Sequence, residues 1–203
     1  MDIGNAIVAE AQRLFDVAAG ISYGGDSILI LGLMTTPERD LDYFLKDEDG
    51  VFRLRGFEVH AQPRLDSLVY YIGNQDLLAE VWGHCGYPRG GELNLKQQAV
   101  ASGLGRWGKS SLVLHPQFGP WLRLMAVRVV AAALFSIGPD RDSRDESPLC
   151  DGCTACIDAC PLGILEPYYL KERGSCRANI SQSKQSGTLV LCDQCLLVCP
   201  VGQ

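Results

Sequence analysis

Nine cysteines stand in this 203-residue chain, and eight of them follow residue 149. Cys150, Cys153, Cys156 and Cys160, with Pro161 after them, have the spacing C-x2-C-x2-C-x3-C-P. Cys192, Cys195 and Cys199, with Pro200, repeat its end as C-x2-C-x3-C-P, and Cys176 lies upstream as one more thiol. Thiolates at these intervals ligate iron–sulfur clusters. Steps of three let Cys150, Cys153 and Cys156 wrap one cubane corner by corner, while a helical turn begun at Cys156 carries Cys160 toward another. The chemistry is single-electron transfer. Structural zinc is the alternative, because two sites of four thiolates also use eight cysteines. A third cysteine close behind a C-x2-C pair, and a Cys-Pro ending that occurs twice, favour clusters. Cys85 stands apart and reads as a small core hydrophobe.

The doubled motif resembles that of bacterial ferredoxins carrying two 4Fe-4S clusters. By the crossed ligation of such modules, Cys150, Cys153, Cys156 and Cys199 would hold one cluster, and Cys160, Cys176, Cys192 and Cys195 the other. Candidates for proton supply are Tyr70, Tyr71, His84 and His115, although tyrosine on a helix face usually packs and a lone histidine is usually satisfied locally. Trp107 and Trp121 suit either core or cofactor stacking. Arg106 and Lys109 are either solvated or meet an anionic group.

A second dense stretch runs Ala101-Ser102-Gly103-Leu104-Gly105-Arg106-Trp107-Gly108-Lys109-Ser110-Ser111, continuing to Pro116 and Gly119. It follows a helical pattern, not a first strand, and has neither phosphate-loop register nor a dinucleotide fingerprint. The segment resembles the glycine signature of epoxyqueuosine reductases and corrinoid-dependent reductive dehalogenases. The cysteine motifs resemble that family as well, in the same order along the chain, so the likeness covers about residues 94 to 200. It implies a nitroreductase-like domain that cradles a cobalamin, with Gly103, Leu104, Gly105, Gly108, Lys109, Ser110 and Ser111 along the corrinoid. Glycines there would let backbone approach a flat macrocycle. It further implies electrons arriving from a donor such as ferredoxin or flavodoxin and leaving to a small-molecule substrate. Where the family carries a proton-donating aspartate, this chain reads Tyr87-Pro88-Arg89-Gly90. That departure, with a shorter front half, makes the alternative a cofactor-free electron-transfer protein that docks a partner redox enzyme. A flavin in the same cleft is a third reading.

These residues need elements to hold them. Residues 3 to 18 place apolar side chains at helical spacing after Asp2, and residues 27 to 33 read as a buried strand. Residues 41 to 50 suggest a charged loop or short helix, 51 to 60 a strand, and 66 to 85 a helix. A glycine-rich turn precedes a helix over 94 to 102; strands are expected over 111 to 115 and 122 to 133. Three Asp, two Arg and a Glu among Ser and Pro make 139 to 148 a linker. The predicted class is α/β (α+β): a nitroreductase-like sheet-and-helix domain over residues 1-138, then a ferredoxin-like domain over 139-203. A net charge of -6 disfavours bulk nucleic-acid binding. The opening residues lack a basic segment followed by an apolar one, and no stretch suits a membrane span, so the chain reads as cytoplasmic.

Overall fold

The computed structural model describes residues 2–84, 87–88, 93–131, 134–135, 144–172, 176, 188–189 and 192–202. Cys85 and residues 139–143, half of the expected linker, lie outside them. The fold is mixed α and β with small antiparallel sheets. It divides into two compact units, neither continuous in sequence. The first comprises Met1–Met34, Pro63–Arg106 and Leu122–Asp145; the second comprises Thr35–Gln62, Trp107–Trp121 and Glu146–Gln203.

The first unit is built on a five-stranded sheet. Strands β1 (Val17–Tyr23), β2 (Asp26–Met34), β5 (Ala79–His84), β6 (Tyr87–Pro88) and β9 (Leu122–Val129) stand in the order β1-β2-β9-β5-β6, every neighbouring pair antiparallel. Residues Ser27 to Leu33 of β2 are buried, as are Leu124 to Val127 of β9, and these two strands form the sheet's centre. A strand buried on both faces reads as an unbroken apolar run, which is what Ile28-Leu29-Ile30-Leu31 offers. Helices α1 (Ile3–Leu14), α3 (Gln62–Gly73) and α4 (Leu95–Ala101) bury Ile7 and Ala11, Leu65, Leu68 and Ile72, and Leu95, Ala99 and Val100. Toward one end of the sheet, Arg128 of β9 pairs with Asp26 of β2 at 2.6 Å and lies 5.3 Å from the Trp82 ring centre on β5.

The second unit has only short elements. Strands β3 (Phe44–Lys46), β4 (Phe52–Arg53) and β12 (Thr188–Leu189) form a sheet in the order β12-β3-β4. Two ribbons pair β7 (Arg106–Trp107) with β8 (Val113–Leu114) and β10 (Leu165–Glu166) with β11 (Tyr169–Leu170). Helices α2 (Arg55–His60), α5 (Ala155–Asp158) and α6 (Gln194–Leu197) complete it. Among the described residues, no helix is long and apolar enough to cross a membrane.

Several elements differ from expectation for tertiary reasons. The opening helix stops at Leu14, because Val17 to Tyr23 pair along β2 from Val17 opposite Gly32 to Tyr23 opposite Asp26. The strand expected over 51 to 60 contracts to β4, and α2 takes the rest, burying Gly56 and Phe57. The helix expected over 66 to 85 is a helix ending at Gly73 followed by β5. Asp76, with φ of 57°, lies in the connection between them. Residues 41 to 50 contribute strand β3. Expectation and structure agree closely for β2, for α4 and for the start of β9.

Candidate metal centre

Each half of the cysteine motif uses the same local geometry. In the first, Cys150 ends a 3-10 turn (Pro148–Cys150), Cys153 precedes the Thr154 cap of α5, Cys156 sits inside α5 and Cys160 follows its end. In the second, Cys192 precedes the Asp193 cap of α6, Cys195 sits inside α6 and Cys199 follows. The two short helices pack on each other. None of the eight cysteines is in a disulfide.

Cys150, Cys153, Cys156 and Cys199 line one small cavity. Gly108, Lys109 and Ser110 line it too, as do Leu114 and Pro200. Burial pushes the Cys156 thiol above its ordinary value, and the nearby thiols of Cys150, Cys153 and Cys199 add to that push. Burial also raises Cys199. Cys195 is pushed up to about 12, by burial first and then by Cys176, Cys156 and Cys192 beside it. Cys176 itself is exposed. Burial works against ionisation of Cys160, yet the backbone N–H groups of Leu162, Ile164, Leu165 and Gly163 together draw its thiol below the ordinary value. Such donors stabilise a thiolate. Among the described residues no three His, Cys, Asp or Glu side chains draw together as they do around a single metal ion.

The glycine segment divides between two jobs. Gly103, with φ of 81°, ends α4: its N–H donates to the Val100 carbonyl at 3.0 Å and the Leu104 N–H to the Ala99 carbonyl at 2.9 Å. That is a Schellman ending, which favours glycine at this position. Leu104 and Gly105 are buried. Gly108 and Ser111 close a turn, Ser111 donating to the Gly108 carbonyl at 2.9 Å with φ of 60°. Lys109 faces the thiols, its backbone N–H 3.5 Å from Cys150 Sγ and its Nζ 3.0 Å from the Cys153 carbonyl oxygen. Its link to the cysteine loop is invisible in a one-dimensional motif, since Lys109 and Cys150 lie 41 residues apart.

The other candidates are placed as follows. His115 Nδ1 accepts the N–H groups of Gln117 at 3.1 Å and Phe118 at 3.2 Å, and its ring stacks on Phe118. Burial holds its pKa below the ordinary histidine value. The turn it caps ends at Gly119, where a Cβ would collide with the Val201 carbonyl, so this turn seats the second Cys-Pro motif. Tyr70 and Tyr71 lie on α3 in the first unit, Tyr70 exposed and Tyr71 half-buried. His84 ends β5, where the backbone alone is described. Arg106 pairs with Asp145 at 3.4 Å. Trp107 and Trp121 are half-buried. Sequence reasoning missed Tyr168, whose N–H donates to the Lys109 carbonyl at 3.2 Å; the signal was Pro167 before a two-residue ribbon turn.

No protein-family model matches the chain. An epoxyqueuosine reductase of Listeria monocytogenes is 28% identical over 123 residues, covering 56% of this chain and 31% of that protein. One of Bacillus cereus is 31% identical over 120 residues, covering 54% of this chain and 30% of that protein. The chain therefore spans about a third of the length of these curated relatives. The solved epoxyqueuosine reductase of Bacillus subtilis superposes with a TM-score of 0.57 at 21% identity, over 87% of this chain and 48% of that one. That of Streptococcus thermophilus gives 0.62 at 14% identity, over 98% of this chain and 66% of that one. A further such structure, solved with an epoxyqueuosine-modified tRNA stem loop, gives 0.57. The chain is similar to the epoxyqueuosine reductases in sequence over about half its length and in fold over most of it.

Proposed function

We propose that this chain is an iron–sulfur oxidoreductase of the epoxyqueuosine reductase kind, relaying single electrons through two 4Fe-4S clusters to a corrinoid that reduces a small substrate. The observation that carries the cluster part is the cavity ringed by Cys150, Cys153, Cys156 and Cys199. A zinc site needs four sulfurs about 2.3 Å from one point. A cubane takes its four thiolates from a wider ring, and the C-x2-C-x2-C-x3-C-P spacing with its repeated Cys-Pro ending is the one such clusters use. Cys150, Cys153, Cys156 and Cys199 would hold one cluster and Cys160, Cys176, Cys192 and Cys195 the other. The backbone N–H groups aimed at Cys160 and Cys150 are the kind of donor that tunes cluster potential. Bound there, the clusters supply one-electron storage and transfer.

This chain's own residues orient and shelter the thiols. Thr154 and Asp193 open the two short helices that carry Cys156 and Cys195. Leu114, Leu149 and Val201 line the cavity with apolar surface. The nitroreductase-like character of the sheet domain, a 1-138/139-203 division of roles and a corrinoid along Gly103 to Ser111 belong to the same reading; the reductase kinship supports them. An electron donor such as ferredoxin or flavodoxin fits the relay. The relative solved with a tRNA stem loop suggests a modified nucleoside as one substrate to try.

A specific observation favours the alternative of a cofactor-free carrier docking a partner redox enzyme. Gly103 is accounted for by a helix ending, Leu104 and Gly105 by burial, and Lys109 by the cysteine loop, with no corrinoid needed. One experiment separates the readings: anaerobic reconstitution with iron and sulfide, metal analysis, and spectra before and after adding cobalamin. About eight irons, as two four-iron clusters require, with a retained corrinoid supports the reductase. The same iron with no corrinoid uptake supports the carrier. Two zinc ions in place of iron overturn both.

A further inference from the structure

Lys109 belongs to the glycine segment by sequence and to the cysteine loop by contact. Its backbone N–H donates to Cys150 Sγ at 3.5 Å and its ammonium donates to the Cys153 carbonyl oxygen at 3.0 Å. Its carbonyl accepts the Tyr168 N–H at 3.2 Å. Tyr168 makes that contact from a left-handed backbone, φ 65°, in the Pro167-Tyr168 turn that joins β10 to β11. A tight turn prefers glycine at this place, and a bulky residue persists there only when its surroundings hold it. Lys109 is thus gripped from three directions, and all of its grips lie inside the second unit.

A charge fixed at this spot has a consequence for any redox centre among the neighbouring thiols. A four-iron cluster with four thiolate ligands is an anion that becomes more negative on reduction. A nearby ammonium group stabilises the reduced form more than the oxidised one, and net charge with hydrogen bonds to the sulfurs sets cluster potential. We infer that Lys109 positions the Cys150–Cys153 loop and raises the reduction potential of the cluster held by Cys150, Cys153, Cys156 and Cys199, leaving the other cluster's potential alone. The inference rests on the cluster reading above, and it gives Lys109 a role at the thiol site.

The test uses the full chain, reconstituted anaerobically and titrated with dithionite as the electron donor, with reduction followed by electron paramagnetic resonance and iron by direct analysis. Lys109→Met removes the charge; Lys109→Arg keeps it. The expected result is one midpoint of two shifted downward in Lys109→Met by about tenfold in the reduction equilibrium, 59 mV for a one-electron couple. Lys109→Arg stays near the native value. Selective loss of about half the iron in Lys109→Met, with Lys109→Arg intact, supports the positioning role equally. Two unchanged midpoints with full iron overturn the inference. So does a change that strikes both clusters alike, or one that Lys109→Arg shares in full. A native chain that takes up no cluster at all overturns the function proposed above, a different failure read before any variant is made.

Discussion

At Cys160 and at His115 the same kind of backbone donor acts on different chemistry. Cys160 collects N–H groups from Leu162 to Leu165, which favour the thiolate a metal requires. His115 Nδ1 accepts two N–H groups, which keeps its proton on Nε2 and ties the ring into a turn. Its lowered pKa means that the unfolded chain takes up a proton more readily than the folded one as the pH falls. The neutral-ring contribution to stability is therefore complete above the ordinary histidine value of about 6.5 and declines below it. In His115→Asn the side-chain carbonyl can still accept the two N–H groups but does not titrate. Urea unfolding from about pH 7 to 5 should show native stability falling more steeply than that of the variant; parallel curves would refute this role. Each thiol has a similarly local test. Cys156→Ala should lower bound iron in the reconstituted chain from about eight to about four per molecule. Retention of all eight would remove Cys156 from the ligand set.

Among the elements, what positions the site is largely a matter of endings and turns. Helix α4 stops because Gly103 adopts φ of 81° and returns two N–H groups to the helix carbonyls. Gly103→Ala should cost about 1 kcal/mol in unfolding, the usual penalty for a Cβ in the left-handed region. Gly119 has a heavier duty. With φ of 56° it lies so close to Val201 that a Cβ would meet that carbonyl. Gly119→Ala should destabilise by more than Gly103→Ala, roughly 2 kcal/mol or above from strain and collision together. It should also reduce iron retention by displacing the Cys199-Pro200-Val201 end, as iron analysis beside a melting curve would reveal. The elements that sequence periodicity identified are those whose local preference and tertiary role agree: the apolar run of β2, and α4 with its Asn94 cap accepting the Gln97 N–H at 3.3 Å. It failed where pairing decided. Val17 and Ala18 suit a helix as readily as a strand until β2 lies beside them, and Val51 to His60 alternate like a strand although Gly56 and Phe57 are buried in a helix.

Over the whole molecule, apolar burial and metal-ligand chemistry are unevenly distributed. The first unit holds the sheet centre from Ile28 to Leu31, Met125 to Val127 opposite it, and the buried helix residues Ile7, Leu65, Leu68 and Ile72. The second unit buries few large side chains, among them Leu41, Phe57, Leu114, Leu165 and Leu196, and its described strands run two or three residues. Its cysteines were legible because metal ligation demands fixed residue types at fixed spacings. The surroundings were not, because Lys109 meets Cys150, and the Gly119 turn meets Val201 beside the last Cys-Pro motif, from distant parts of the chain. Elements so short cannot offset the entropy of ordering by apolar burial alone. In the cluster reading, ligation replaces the missing core, so binding free energy becomes folding free energy there. Removing iron with a chelator under anaerobic conditions should therefore expose the second unit's backbone amides to exchange while those of β2 and β9 remain protected. Amide hydrogen exchange resolved by peptide mass spectrometry reads both at once. Peptides spanning Pro148 to Tyr169 should exchange within the shortest labelling time after chelation, and peptides spanning Asp26 to Met34 should keep their protection. Equal loss in both would mean that the metal supports the sheet core as well. Equal protection in both would mean that the second unit holds its fold without clusters, and that the thiols are gathered by packing alone.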